Sequence, residues 1–122
     1  PATKFIASFI GKSAFLPAIT TCDTCIETDL GNLRSDEPHG YQTNQQVCVL
    51  VRIDDVKHDP NSNYVGEVIN KNFHGSYFTY EVMITEGTSV LCSTPAHYPY
   101  KLEVGDPFGL KLNIEHLVLF ER

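Results

Sequence analysis

Gly11-Lys12-Ser13 is the first stretch whose residue types suggest chemistry, because a phosphate-binding loop ends in that way. Such a loop needs Gly-x4-Gly-Lys-Ser/Thr, so that successive backbone amides and the lysine surround the phosphates. The first glycine would fall at position 6, which is Ile6, and a helical pattern ends here where the loop needs one to begin. No nucleotide chemistry follows, and no catalytic residue is assigned anywhere in the chain. Cys22-Asp23-Thr24-Cys25 has the spacing of half a zinc site. A structural site takes four ligands, normally from two such close pairs. Cys48 and Cys92 are isolated, Cys48 sits inside an apolar run, and His39 has no supporting spacing. Cys22 and Cys25 are the only metal candidates, and their plainer reading is a pair of thiols flanking a hairpin turn.

The remaining polar groups gather less well. His39, His58 and His97 lie beside prolines or polar loops and read as solvated; His116 reads as ordering a turn, and His74 as exposed beside Gly75. No Ser, His and Asp set has local context for nucleophilic catalysis. Tyr77, Tyr98 and Tyr100 have the makings of a base-stacking platform, but such platforms come with a basic groove. Here 9 Lys and Arg face 15 Asp and Glu, a formal net charge of −6. An acidic surface has no electrostatic reason to approach phosphate backbones or anionic lipid, so nucleic acid is not expected as a partner. Tyr98-Pro99-Tyr100 reads instead as a protein contact surface, together with the apolar face of Phe5 and Phe9.

The elements that would position these residues are mostly strands. Phe5, Ile6, Phe9 and Ile10 share one face of a short helix over residues 3 to 10, with Thr3 as N-cap and Gly11 as its stop. Phe15 to Thr21 reads as extended, with Pro17 pushing it toward an edge or a bulge. A second strand runs from Cys25 to Leu30 and ends at Gly31-Asn32. Arg34 to Gln46 is a polar loop, Val47 to Arg52 a buried strand, and Asp54 to Asn63 a long polar connection. Tyr64 to Asn70 is a strand, and Gly75 marks a break. Phe78, Tyr80, Val82 and Ile84 then alternate strictly with Tyr77, Thr79, Glu81 and Met83. Glu86-Gly87 closes a hairpin onto Ser89 to Ser93. Phe108, Leu110, Leu112 and Ile114 alternate likewise, and Leu117 to Phe120 is a last short strand.

Short strands with turn signals every eight to twelve residues predict a mainly β fold: an OB-like small β-barrel with additional N-terminal strands and one short N-terminal helix. The strands after Gly66 suffice for five if Val47 to Arg52 joins them, placing the barrel core at about 47–120. A chain of 122 residues has room for one core. Its hydrophobic content of 42% and charged content of 20% are those of a globular protein. No apolar run approaches the roughly 20 residues of a membrane helix, and the first residues lack a signal-peptide pattern. The reading is cytoplasmic, with thiols in the main reduced. Four cysteines would permit two disulfides, but spacing does not choose among the three pairings.

Four stretches, in order along nearly the whole chain, resemble one family. Phe5-Ile6-Ala7-Ser8-Phe9-Ile10-Gly11 with Phe15-Leu16-Pro17-Ala18 is similar to a linker leaving a nucleotide-binding domain. Val51-Arg52-Ile53-Asp54-Asp55-Val56 resembles Val-Arg-Pro-Glu-Asp-Val, with Ile53 in place of the proline. Gly66-Glu67-Val68 with Phe73-His74-Gly75-Ser76-Tyr77 resembles a glycine-broken hairpin. Leu102-Glu103-Val104-Gly105-Asp106 with Ile114-Glu115-His116-Leu117-Val118-Leu119-Phe120 resembles the closing strands. Together they resemble the carboxy-terminal, transport-associated OB (TOBE-type) domain of ABC-transporter ATP-binding subunits, the group importing sugars, polyamines or ferric iron.

The resemblance implies a non-catalytic regulatory and dimerisation domain that tethers two ATPase subunits, at the cytoplasmic side of the inner membrane. Residues 1–13 would be the linker and short helix from the nucleotide-binding domain, and 14–122 the regulatory domain. A second copy of the subunit is the implied partner, with permease subunits reached through the missing domain, where ATP and Mg would also bind. No cofactor is expected in this chain, and no membrane insertion. The alternative is a small-ligand module taking an anion or the transported solute, with backbone amides offered at Gly75-Ser76.

Overall fold

The computed structural model describes residues 13–122, and the expected helix over residues 3 to 10 lies outside them. Ten strands follow one another: β1 (Ser13–Thr20), β2 (Cys25–Thr28), β3 (Gly31–Arg34), β4 (Gln46–Arg52), β5 (Val56–His58), β6 (Val65–Phe73), β7 (Tyr77–Thr85), β8 (Thr88–Pro95), β9 (Pro107–Leu112) and β10 (Leu119–Glu121). Among the described residues the one helical element is a 3-10 turn, Ile53–Asp55, between β4 and β5. The strands form two five-stranded sheets, in the orders β10-β4-β1-β2-β3 and β5-β9-β6-β7-β8, antiparallel throughout.

Alternation decides which side chains meet. Along β7, Tyr80 and Val82 point inward and are buried; along β8, Val90, Cys92 and Thr94 do; along β9, Phe108 and Leu110. In the first sheet, Leu16, Ala18 and Thr20 of β1 and Val47, Val49 and Val51 of β4 face the same way. Both sets belong to one continuous core. The second sheet nearly closes on itself: its two outer strands meet where Cys92 Sγ on β8 donates to the Val56 carbonyl on β5, 3.3 Å away. That closure is the OB-like barrel. β1 packs against β8 and carries the first sheet as a flap on the barrel wall. Burial pushes the Cys92 thiol up to about 11, so it stays a neutral donor.

Several expectations change. The strand that completes the barrel is β5, not Val47 to Arg52, which pairs with β1 and β10 in the other sheet. β4 is buried over five consecutive residues because both its faces are covered. Val47, Val49 and Val51 face the core. Cys48 and Leu50 stand beside Phe120 and Phe15 in register, whose rings meet edge to face at 5.5 Å. The chain leaves β4 through the 3-10 turn, where the Arg52 amide donates to the Asp55 carboxylate at 2.9 Å. Ile53 opens that turn, a place suited to proline's preset φ, and the Asp55 clip holds it without one.

The polar segment from Asp54 to Asn63 contains β5 and is not one loop. Gly31-Asn32 does not end a strand; Asp29 and Leu30 form the turn and β3 begins at Gly31. Pro17 lies in an interior strand, but β2 pairs with β1 only from Ala18 onward, so the missing N–H falls where one side of β1 is open. Glu86-Gly87 is the two-residue link of the β7–β8 hairpin, and Gly87 supplies the positive φ of +81° that it needs.

Candidate functional site

Two buried threonines in this fold are treated very differently. Thr20 ends β1, and its hydroxyl donates to the Gln42 carbonyl and accepts the Gln45 amide at 2.8 Å. Thr94, at the same kind of inward position on β8, is 4% exposed, and its Oγ1 has no hydrogen-bond partner among the described residues. An unsatisfied buried hydroxyl destabilises a fold by about 1–3 kcal/mol. Valine at this position would fill the same space without that penalty.

Thr94 lines a cleft of about 290 Å³ at one end of the barrel. β6 contributes Lys71, β7 contributes Phe78 and Tyr80, and the segment after β8 contributes Tyr98, Tyr100 and Glu103. Lys71 Nζ sits 4.6 Å from the centre of the Phe78 ring and 3.0 Å from Glu103 Oε1. The pair stands at the rim: the lysine side chain is largely covered, whereas Glu103 is exposed to solvent. Such a contact is worth under about 1 kcal/mol to stability, so its interest is positional.

The tyrosines are held from behind. His58, the last residue of β5, touches three rings: Phe108 at 4.8 Å, Tyr100 at 5.1 Å and Tyr98 at 5.5 Å. Its Nδ1 lies 2.6 Å from the Tyr98 hydroxyl. Burial lowers the His58 pKa, against the opposing charge of Asp59, and burial raises that of Tyr98. Both shifts favour a neutral imidazole accepting the proton of a neutral phenol, which assigns Tyr98 as the donor.

A pH effect follows with a definite sign. His58 titrates below its unfolded value of 6.5 in the folded chain. The unfolded chain therefore binds more protons as pH falls through 6.5 toward the folded value. Stability is complete above that window and declines through it. Urea midpoints measured from pH 7.5 to 5 should fall for the natural chain, and part of that slope should disappear in His58→Gln. An unchanged slope would show that His58 is ordinarily hydrated.

The sequence singled out Tyr98, Pro99 and Tyr100; Tyr98 and Tyr100 form a wall of this cleft, while Pro99 is exposed beside them. Phe5 and Phe9 lie outside the described residues. Cys22 and Cys25 form a disulfide, with Cα atoms 4.7 Å apart across the β1–β2 turn. The expectation of free thiols is corrected here, and joined sulfurs are not thiolate ligands. A three-residue separation folded into a tight turn brings the two side chains together. Among the described residues no cluster of three or more metal-ligating side chains exists. Cys48 and Cys92 are free and buried.

His58 is half-buried against three rings, not freely solvated as its place beside a proline suggested. His39 is likewise engaged: its Nε2 donates to the Cys22 carbonyl at 2.6 Å and its Nδ1 accepts the Tyr41 amide at 3.1 Å. His74 is exposed as expected, stacked on Tyr77 at 4.7 Å. At Ser76 the carbonyl accepts the Ala96 amide at 3.0 Å. A larger hollow of about 530 Å³ lies between residues 35–41 and 115–119. Asp36, Glu37, Glu115 and His116 line it, all exposed, and His39 is already bonded on both nitrogens.

Sequence reasoning offers no role for Thr94 or Lys71, reads His58 as solvated, and meets Glu103 only within the closing-strand resemblance. A signal existed for Thr94 alone: alternation through Val90 and Cys92 places it inward.

Comparison with known proteins agrees with this architecture. The family model for the TOBE domain matches residues 49–120, which run from within β4 into β10 and include every strand of the barrel. Over 114 residues the chain is 29% identical to the spermidine/putrescine import ATP-binding protein PotA of Clostridium acetobutylicum. That match takes in 92% of this chain and 31% of that protein, so the chain spans under a third of the length of the curated relative it matches.

Proposed function

Because the chain belongs to the TOBE domain family, we propose that it is the carboxy-terminal regulatory and dimerisation domain of the ATP-binding subunit of an ABC importer. The observation that carries this reading is the coincidence of the family match with the barrel strands, together with the similarity to an import ATP-binding protein across most of the chain. In this role the domain breaks no bonds. ATP and Mg bind in a separate nucleotide-binding domain of the full subunit, to which residues 1–13 are the linker. Two copies of the subunit pair through their regulatory domains at the cytoplasmic face of the inner membrane, and the nucleotide-binding domains contact the permease.

The physical gain is effective concentration. A standing contact between regulatory domains makes each closure of the catalytic faces an intramolecular event. Surface composition supports a contact of this kind. Ile69 and Val104 are exposed on neighbouring segments, where the Gly105 amide donates to the Val68 carbonyl at 2.8 Å, and Phe73 is exposed at the end of β6. No helix among the described residues is long and apolar enough to cross a membrane.

Two measurements test the proposal. The coding sequence upstream of Pro1 should encode Gly-x4-Gly-Lys-Ser/Thr and the other ATPase motifs; a start codon immediately before Pro1 would sink the subunit role. Sedimentation equilibrium of the chain should show a reversible dimer, weakened by Val104→Lys. A monomer at every concentration would remove the tether.

A further inference from the structure

We propose that the cleft between β7, β8 and the segment after β8 binds a small, neutral, polyhydroxylated solute about the size of one sugar ring. The inference stands on the cleft alone and does not depend on the subunit role.

The first observation is the Thr94 hydroxyl, 4% exposed, lining the cleft and without a partner among the described residues. A hydroxyl both donates and accepts; this one is sealed from water, so it gains its partner in either role only as a ligand hydroxyl opens the cleft floor to it. The second observation is the rim. Lys71 Nζ and Glu103 Oε1, 3.0 Å apart, offer a donor and an acceptor side by side. Two adjacent hydroxyls match that arrangement, one accepting from the ammonium and the next donating to the carboxylate. The lysine already faces the Phe78 ring and the Glu103 carboxylate, so the position a ligand cation would take is filled. An anion on Lys71 would compete with Glu103. A neutral solute leaves the pair intact. Lys101 adds one further charge, at the exposed rim.

The walls complete the fit. Phe78, Tyr98 and Tyr100 present ring surface to the cleft, and the C–H face of a sugar ring packs on aromatic rings while its hydroxyls point away. Tyr98 is fixed in advance by His58, 2.6 Å from its hydroxyl, so little order has to be gained on binding. A volume of about 290 Å³ is at the small end of ligand pockets, enough for a single ring.

The test uses the full 122-residue chain, with amide shifts followed by two-dimensional NMR. The probes are D-glucose, D-mannose and myo-inositol, with sodium sulfate and spermidine as charged comparators. At least one polyol should shift the amides of Lys71, Thr94, Tyr98 and Tyr100 saturably. Thr94→Val should stay folded, gain stability, and weaken that polyol about tenfold or more, the effect of one lost hydrogen bond. Thr94→Ser should restore binding. Glu103→Gln, at an exposed position that folding does not depend on, should also weaken it. Selective shifts with sulfate or spermidine would overturn the proposed chemistry. Silence with every probe, or equal polyol binding by Thr94→Val, would overturn the site.

Discussion

Phe108→Ala is expected to remove about 3–5 kcal/mol of stability, the range for deleting a buried phenylalanine. Phe108 is fully buried on β9, the strand between β5 and β6 in the barrel sheet. Its ring lies 5.6 Å from Tyr80 and 4.8 Å from His58, so the hole opens at the point where β7 and β5 converge. Alanine cannot fill it, and the barrel cannot collapse inward without breaking the ladders on either side of β9. Total stability for a domain of this size is roughly 5–15 kcal/mol, so the variant should sit near its unfolding threshold. Urea denaturation followed by far-UV circular dichroism measures the change. Phe108→Leu keeps much of the volume and should lose under about 1.5 kcal/mol. A loss below that level for alanine itself would mean that Phe108 does not fill the barrel.

The second large effect belongs to a glycine. A Cβ placed on Gly109 would lie 2.1 Å from the Asp59 carbonyl oxygen and 3.1 Å from its carbon, both backbone atoms. The two backbones are that close because the Asp59 amide donates to the Gly109 carbonyl at 2.9 Å. No side-chain rotation relieves the clash. Gly109→Ala must push the turn after β5 outward, straining the Asp59 amide bond and the Ser62 amide bond to the Asp59 carbonyl at 3.1 Å. The expected loss is about 3 kcal/mol, the upper part of the usual range for overpacking. Gly40→Ala is the comparison: it meets nothing within 4 Å, and only its φ of +83° is unfavourable, worth about 1–2 kcal/mol. Equal losses in the two variants would show that Gly109 has room for a methyl group.

Period-two patterning made much of the barrel legible. Tyr80 and Val82 on β7, and Phe108 and Leu110 on β9, stand inward where alternation placed them. Gly75 and Gly87 turn the chain where breaks were read. What alternation cannot express is which strand lies beside which. β5 has three residues, two of them Lys57 and His58, too few and too polar to show a period, so nothing local distinguishes the strand that closes the barrel from loop. The burial of β4 is legible in its apolar run, but nothing in an unbroken apolar run names its neighbours. Side-chain environment was similarly hidden. His58 sits one residue from an Asp-Pro pair, a local context that suggests solvent, and only the folding of β9 and the Tyr98 segment over it withdraws water. The cleft was half visible: its tyrosines were noticed as exposed aromatics, whereas Lys71 and Glu103, 32 residues apart, meet only in three dimensions.

The Cys22–Cys25 bridge closes a very small ring, with a sequence separation of three. Ring closure this short removes little freedom from the unfolded chain, about 2 kcal/mol on the loop-entropy scale. The same turn is fastened independently: the Ser35 amide donates to Thr24, the His39 amide to Asp23 and the His39 ring to Cys22, all onto backbone carbonyls. Cutting the sulfur bond therefore leaves the hairpin anchored through residues 35 to 39. The domain should keep its shape in glutathione-rich cytosol and in an oxidising extract alike, with the reduced form less stable by no more than that amount.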